Sequence, residues 1–312
     1  MFGCQSADSM NVREIENETE LAAEIDELAA YLRGVPPDLR ESGAFMPYEI
    51  RLQHLLENLI TLRSKQALHP HLEDLNLKQH VLPLLERVSV AARRKLIDDD
   101  AFRQQFASSE PIAAYVLSVD IKRSNELMLE ARTPRLFGEF ILGLVNALRE
   151  VVVDNYGIVD KFTGDGLLAF FPEFFAGRDA GYFALRAAQE AHEVFTAHYA
   201  ANRHAFVVTS HSIGLGIGID YGLVQVVELG LELSVVGAPV VYARRLSEGK
   251  PGETLLNQPA FEKLSAMYAE IVKLEPTLID IKLEGSVAAY SVRLTARAEP
   301  AVPAWVSSIG ER

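Results

Sequence analysis

The order of apolar segments between residues 112 and 221 most limits the folds open to this chain. Short runs rich in β-branched residues predict strands at 112–119, 158–162, 167–171 and 211–221. Two long helical patterns, beginning near Thr133 and Asp179, separate these runs. The resulting order is strand, helix, hairpin, helix, strand, which predicts an α/β (α+β) fold of the ferredoxin-like βαββαβ kind. Right-handed crossovers then place both long helices on one face of the sheet.

The regions before and after these strands differ from them in sequence pattern. Residues 1–110 show helical periodicity without a strand signal, which predicts an all-helical region with a regulatory or dimer-supporting role. Residues 111–295 contain all the predicted strands and form the expected α/β domain. Residues 296–312 are rich in Pro and Ala, and we expect them to form a mobile tail.

Charge and cysteine content exclude several function classes. The chain carries 43 acidic and 30 basic residues, a net charge of −13. An acidic chain neutralises phosphates poorly and is repelled by anionic membranes, so we expect no nucleic-acid partner. The single cysteine excludes an intrachain disulfide and a Cys-rich zinc site. The sequence shows no signal peptide and no integral membrane segment, so we expect a cytoplasmic location.

Two aspartates are placed where strands end. Asp120 closes the first predicted strand, and Asp165 lies at the tip of the hairpin. In a βαββ unit the first strand pairs beside the hairpin, so the two carboxylates meet at one end of the sheet. Each alone is typical of a helix cap or an Asp-Gly turn, but two adjacent carboxylates repel unless a cation lies between them. The pair therefore predicts a site for Mg²⁺ or Mn²⁺, which prefer oxygen ligands.

Further motifs follow these aspartates in a fixed order. They are Lys161-x-x-Gly164-Asp165-Gly166, Val235-Val236-Gly237-x-x-Val240-x-x-Ala243-x-Arg245-Leu246 and Lys250-Pro251-Gly252-Glu253. Together with Asp120-Ile121 they resemble the catalytic domain of class III nucleotide cyclases, over about residues 112–294. That family converts a nucleoside triphosphate into a 3′,5′-cyclic nucleotide and pyrophosphate. Its two active sites form between the subunits of a head-to-tail dimer, so the resemblance implies a homodimer with two divalent cations per site.

The resemblance implies a role for each matching residue. Asp120, Asp165 and the backbone carbonyl of Ile121 would hold the metal ions. Arg245 matches the transition-state arginine, whose guanidinium suits the charge that builds on the phosphoryl oxygens. Lys282 lies where a triphosphate-binding lysine is expected, although an exposed strand lysine is an equal alternative.

The base-reading positions differ from those of purine cyclases. Lys161 matches adenylate cyclases, whereas Ser234 stands where Asp or Thr is usual. Lys122 and Arg123 add hydrogen-bond donors beside the first metal ligand, in a segment that resembles the pyrimidine cyclases of the Pycsar anti-phage systems. This narrower resemblance implies UTP as substrate, with Lys122 and Arg123 among the base-contacting residues, and a role in anti-phage defence.

Two alternatives stay open. Lys161 favours an adenylate cyclase that makes cyclic AMP. Val241 replaces the ribose-orienting Asn of the family and cannot hydrogen-bond, which favours a catalytically inactive module that binds a nucleotide or a partner. The retention of Asp120, Asp165 and Arg245 argues against the inactive module, because binding alone needs no paired metal carboxylates.

A glycine repeat lies in the last strand of the predicted unit. Gly214-x-Gly216-x-Gly218 is similar to a dinucleotide-binding loop, but it alternates with apolar residues inside a strand. The repeat therefore predicts a helix packed closely on the sheet rather than a phosphate site.

Overall fold

The computed structural model describes residues 82–106, 110–207, 213–229, 232–281 and 285–307, together with single helical residues at 23, 27 and 30. The chain divides into two compact units, Met1–Asn76 and Leu77–Arg312, and the elements below all lie in the second. Apart from the three single residues, the helices predicted between 12 and 68 lie outside the described part. Lys282 also lies outside it.

The described chain contains the following strands and helices. The strands are β1 (Ile112–Lys122), β2 (Ile158–Phe162), β3 (Gly166–Pro172), β4 (Gly214–Leu229), β5 (Glu232–Val236), β6 (Glu253–Leu256), β7 (Val272–Ile281) and β8 (Gly285–Leu294). The helices are α1 (Leu82–Leu85), α2 (Val90–Asp98), α3 (Asp100–Gln104), α4 (Ser124–Glu130), α5 (Pro134–Asp154), α6 (Glu173–Ala176), α7 (Ala180–Ala201), α8 (Ala238–Leu246), α9 (Gln258–Tyr268) and α10 (Ala304–Ser307). None of these helices has the length and apolar content needed to cross a bilayer.

The sheet confirms the predicted topology. Its strand order is β2-β3-β1-β4-β6-β8-β7, and β1 runs antiparallel to both β3 and β4. Strands β1 to β4 with helices α5 and α7 therefore form the ferredoxin-like βαββαβ unit. Strand β6 then adds parallel to β4, and the antiparallel pair β8 and β7 completes the sheet.

Helices α5 and α7 bury their apolar faces in one core, as predicted. The helix residues that fill this core are Phe140, Leu144, Leu148, Val152, Ala184, Ala188, Ala191 and Phe195. They pack on Leu117 and Val119 of β1, whose side chains share one face of the sheet. Thr133 caps α5 by accepting from the backbone N–H of Leu136 at 3.2 Å, as its place before Pro134 predicts.

Helix α8 packs directly on the glycines of β4. A Cβ added at Gly218 would overlap the carbonyl oxygen of Ala243, and one at Gly216 would overlap that of Ser247. No side chain larger than glycine fits between helix and strand at these two positions. The packing prediction for the glycine repeat is confirmed, and α8 is fixed at the end of β4 that lies beside Asp120.

The later strands are longer than the sequence predicts. Strand β4 continues past Tyr221 to Leu229 and returns as β5, so that the two form a hairpin arm. Strand β7 runs to Ile281 past Leu274, where the run of residues 269–274 predicts that a strand ends, although Pro276 lies within it. Proline is tolerated there because β7 is the edge strand, where the missing N–H needs no partner on the outer side.

Helix α3 packs on residues from the far end of the chain. The ring of Phe102 on α3 lies 6.0 Å from the Phe175 ring and 5.8 Å from the Trp305 ring. Helices α1 to α3 therefore lie in the same compact unit as the sheet.

The described part of the segment after Ala296 makes specific contacts with the α/β unit. Trp305 is 6% exposed and donates from Nε1 to the carbonyl of Phe175 at 2.7 Å. The backbone N–H of Ala301 donates to Asp179 at 2.7 Å. Trp305 thus adds a large buried apolar side chain to a segment in which Pro303 is also buried.

Buried Asp220 on β4 makes the stability of this unit depend on pH. Its carboxylate is 2% exposed and accepts from the backbone N–H of Tyr221 at 2.8 Å and from Asn257 Nδ2 at 3.2 Å. Burial raises the pKa of Asp220 from 3.8 to about 6. The ionised form therefore lowers stability above pH 6, and this penalty disappears as the pH falls from 6 towards 4.

We expect Asp220→Asn to raise the free energy of unfolding by on the order of 2 kcal/mol at pH 8 and by much less at pH 4. Urea unfolding of both proteins across this range measures the difference. Asp154→Asn, at an exposed position on α5, is the control and should change little at any pH. A gain of equal size at pH 8 and pH 4 would contradict the prediction.

Candidate active site

The two predicted metal ligands lie at neighbouring strand ends. Asp120 pairs with Gly166 across β1 and β3, and the carbonyl of Asp165 accepts from the N–H of Ile121 at 3.1 Å. A Cβ at Gly166 would overlap the carbonyl oxygen of Val119, so glycine allows the β2–β3 turn to close against β1. The structure therefore brings Asp120 and Asp165 together at one end of the sheet.

Each carboxylate has a polar neighbour on the segment after β1. Lys122 Nζ lies 2.6 Å from Asp120 Oδ2. The hydroxyl of Ser124, at the start of α4, donates to Asp165 Oδ2. Sequence reasoning did not identify Ser124 as a site residue, although a hydroxyl at a helix start just after the Asp120 strand is a recognisable signal.

The paired carboxylates fit a divalent cation. The Lys122 ammonium already shows that a positive group is stable against Asp120. In the described part of the chain, no histidine, cysteine or third carboxylate joins the two aspartates in a metal-binding cluster. Mg²⁺ suits so small a set because it keeps several waters and takes phosphate oxygens as further ligands.

Lys122 and Arg123 are not placed with the predicted base-reading residues of the same protomer. Lys122 lies over Gly216, where the absence of a side chain leaves room for it, and reaches Asp120. Arg123 adopts a left-handed backbone with φ of 63° and pairs with Glu126 on α4. Within one protomer both side chains pair with acidic residues, and their contact with a base stays a prediction.

Lys161 and Ser234 are in direct contact, although their strands are not neighbours in the sheet. Lys161 Nζ donates to Ser234 Oγ at 2.7 Å. Ser234 is buried, whereas half of the Lys161 side chain is exposed. The β4–β5 hairpin arm carries Ser234 to β2, and the pair presents a charged donor at the protein surface.

Buried Asp160 joins these two strands, and sequence reasoning missed it. Its Oδ1 accepts from the N–H of Val235 on β5 at 3.1 Å, and its Oδ2 lies 3.5 Å from Lys161 Nζ. Burial raises the pKa of Asp160, and the nearby Lys161 ammonium opposes that rise. The available signal was a charged residue inside an otherwise apolar strand.

The outer face of α8 carries Arg245. The Arg245 guanidinium lies 5.6 Å from the centre of the Tyr242 ring, and Val241 is 47% exposed one turn earlier. Ala243 and Leu246 form the buried side of the same helix. Arg245 is therefore directed away from the contact between α8 and the sheet.

A groove of about 600 Å³ adjoins Asp165. Met128, Leu142 and Phe162 line it, and each is about half exposed. Large apolar side chains exposed together beside a polar site are typical of a surface that another molecule covers.

Solved structures that resemble this chain in fold include two nucleotide cyclases. No protein-family model matches the sequence, and no curated protein does. The adenylyl cyclase CyaB from P. aeruginosa superimposes with a TM-score of 0.53 at 18% identity, over 60% of this chain and 97% of that one. The guanylyl cyclase Cya2 superimposes with a TM-score of 0.53 at 19% identity, over 63% of this chain and 99% of that one.

Neither structure is named as a pyrimidine cyclase, so the narrower resemblance to the Pycsar enzymes stays a prediction. The match spans nearly the full length of both cyclase chains, and the βαββαβ unit with its two aspartates lies within this chain's compact unit. The chain therefore contains a domain with the fold of the class III adenylyl and guanylyl cyclase catalytic domains.

Proposed function

We propose that this chain is a metal-dependent nucleotide cyclase that works as a homodimer. The observation that carries the proposal is the meeting of Asp120 and Asp165 at adjacent strand ends of a cyclase fold. A fold alone does not give a function, but paired carboxylates beside a surface groove supply the chemistry that the reaction needs. The contact between Lys161 and Ser234 adds a group suited to recognising a base.

The proposed reaction joins the ribose 3′-oxygen of a nucleoside triphosphate to its own α-phosphorus. The bond from that phosphorus to the β-phosphate bridging oxygen breaks, pyrophosphate leaves, and the 3′-hydroxyl proton passes to water. Asp120, Asp165 and the carbonyl of Ile121 would hold two divalent cations, Mg²⁺ or Mn²⁺, which when bound favour the 3′-alkoxide and the leaving pyrophosphate. The Ser124 hydroxyl orients the Asp165 carboxylate by donating to it.

Arg245 would stabilise the charge that builds on the α-phosphoryl oxygens, because its guanidinium carries a fixed charge and a forked set of donors. We propose that Arg245, Lys161 and Ser234 of one protomer act with Asp120 and Asp165 of the other. The groove of exposed apolar side chains beside Asp165 supports this arrangement, since a second protomer would remove those side chains from water.

The proposed substrate is UTP. Because Lys161 donates to Ser234 Oγ, the Ser234 hydroxyl hydrogen is left to point elsewhere, so that both residues offer donors to a base. Donors pair with the carbonyl oxygens of uracil, whereas the amino group of adenine would meet no acceptor. A buried polar group left unpaired costs about 1–3 kcal/mol. The resemblance to the Pycsar systems makes anti-phage signalling the proposed setting for the cyclic product.

ATP is the second candidate substrate. The ammonium of Lys161 is half exposed and is also a suitable donor to a ring nitrogen of adenine. The two candidates differ in the role of Ser234. Its hydroxyl would donate to a carbonyl oxygen of uracil, whereas it would have to accept from the amino group of adenine.

Turnover with each of the four ribonucleoside triphosphates tests the proposal. The purified protein is incubated with Mn²⁺ and each triphosphate at equal concentration, and the products are identified by mass spectrometry. We expect cyclic UMP as the main product, cyclic CMP at a lower rate, and little cyclic AMP or cyclic GMP. Cyclic AMP as the main product would support the second candidate, whereas no cyclic product from any triphosphate would contradict the cyclase proposal.

Ser234→Ala is expected to lower kcat/KM for UTP about tenfold, because the base loses one buried hydrogen-bond donor. Steady-state rates with UTP measure the effect. Ser286→Ala, at an exposed position on β8, is the matched control and should leave kcat/KM unchanged. An unchanged kcat/KM for Ser234→Ala would show that Ser234 does not contact the base.

A further inference from the structure

Asp160 is a buried charge that the proposed chemistry does not use. Its side chain is fully shielded from solvent, and its Oδ2 is buried without a hydrogen-bond partner in the described structure. Removing a carboxylate from water is unfavourable unless its charge and lone pairs are compensated. Local stability therefore does not explain why an aspartate lies at this position in β2.

The position of Asp160 in the strand is also irregular. The pairing of β2 with β3 shifts between Val159 and Lys161, so Asp160 occupies a β-bulge. A bulge redirects the side chains on either side of it. Here it buries Asp160, while the next residue, Lys161, reaches the surface with its ammonium against Ser234.

The contacts of Asp160 connect both members of the base-reading pair. Its Oδ1 accepts from the N–H of Val235, the residue after Ser234, at 3.1 Å. Its Oδ2 lies 3.5 Å from Lys161 Nζ. One carboxylate thus holds β5 by a hydrogen bond and Lys161 by charge, although β2 and β5 are not paired in the sheet.

The turn between α1 and α2 joins the same cluster through Arg87. Arg87 donates from Nη1 to the carbonyl of Asp160, and its Nη1 lies 3.7 Å from Asp160 Oδ1. The carbonyl of Arg87 accepts from the N–H of Val159 at 3.0 Å. Residue 87 therefore braces the backbone of the bulge from the outer edge of the sheet.

We propose that Asp160 is a positioning residue that fixes the contact between Lys161 and Ser234 and thereby sets the selectivity for the base. This inference rests on the proposed function, because it gives the pair the task of reading a nucleotide. Asp160 does not touch the substrate. Its carboxylate keeps the Lys161 ammonium from swinging into solvent and keeps β5 at a fixed distance from β2.

Asp160→Asn in the full chain is the test. The amide keeps the shape of the side chain and an acceptor for Val235, but it removes the charge that attracts Lys161. We expect KM for the preferred triphosphate to rise about tenfold while kcat changes less than about twofold. We also expect the ratio of kcat/KM between the best and second-best triphosphates to fall about fivefold, which a merely structural role would not change.

A crystal structure of Asp160→Asn gives a readout that does not depend on turnover. We expect the distance from Lys161 Nζ to Ser234 Oγ to lengthen beyond hydrogen-bond range. An unchanged 2.7 Å contact would overturn the inference even if the wild-type protein cyclises no triphosphate. In an active protein, an unchanged selectivity ratio would overturn it and leave the cyclase proposal intact.

Asp154→Asn provides the matched control, since it makes the same chemical change at an exposed position four residues before β2. It should alter neither KM nor the selectivity ratio. Thermal unfolding of Asp160→Asn separates positioning from folding, because the loss of selectivity should persist at assay temperatures well below the melting temperature of the variant. A lower melting temperature with an equal loss of kcat/KM for every triphosphate would assign Asp160 a structural role instead.

Discussion

Asp120→Asn and Asp165→Asn are each expected to lower cyclase turnover at least about 1,000-fold while the protein remains folded. Each change removes one negative charge from a site of two carboxylates, and metal stabilisation of a reacting phosphoryl group is worth several kcal/mol. The fold should survive because the β1–β3 pairing uses backbone groups rather than these side chains. Initial rates of cyclic-nucleotide formation with Mn²⁺ measure the loss.

Asp154→Asn is the control for these two variants, since it changes an exposed aspartate outside the site. Thermal unfolding of all three proteins checks that a lost rate is not a lost fold. A rate close to wild type in either Asp120→Asn or Asp165→Asn would show that the two aspartates do not hold the catalytic metal ions.

Mixing two inactive variants is expected to restore activity if the sites lie between protomers. In a heterodimer of Asp120→Ala and Arg245→Ala, one site carries both changes and the other carries neither. Half of the dimers are heterodimers after random exchange, and half of their sites are intact, so we expect about a quarter of the wild-type rate. The measurement is turnover after subunit exchange, with exchange followed by two distinguishable affinity tags.

The structure supplies a matched negative control for this mixing experiment. Asp120 and Asp165 of one protomer lie together, so a heterodimer of Asp120→Ala and Asp165→Ala has one damaged metal ligand in each site. This pair should not recover. Recovery by neither pair, with exchange confirmed, would argue that each site is built from a single chain.

Much of the fold was predictable because its signals are local. The spacing of apolar residues identifies α5 and α7, and β-branched runs identify β1 to β3, since both depend on residues a few positions apart. The β4–β5 arm was not predicted because it is held by hairpin pairing rather than by burial in the main sheet. The packing of the segment that ends at Trp305 was not predicted, because Trp305 contacts the rings of Phe102 and Phe175, which are distant in sequence.

Part of the candidate site was also predictable from the sequence, and part was not. The juxtaposition of Asp120 and Asp165 follows from topology, because both residues stand at strand ends that the βαββ order makes neighbours. The position of the Lys122 side chain does not follow from the sequence, since it depends on the space above Gly216 in another strand. Lys122 and Arg123 pair with Asp120 and Glu126 in one protomer, and the base contacts expected of them stay a prediction.

Three features could be predicted from the sequence alone: the order of strands and helices, the two aspartates at one end of the sheet, and the residue types suited to phosphate and base. Only the tertiary structure placed Asp160 between Arg87, 73 residues earlier, and Val235, 75 residues later. The difference has a physical cause. Helix and strand patterns report short-range backbone geometry, whereas the partner of a buried charge is decided by which distant segments the folded sheet brings within a few ångströms.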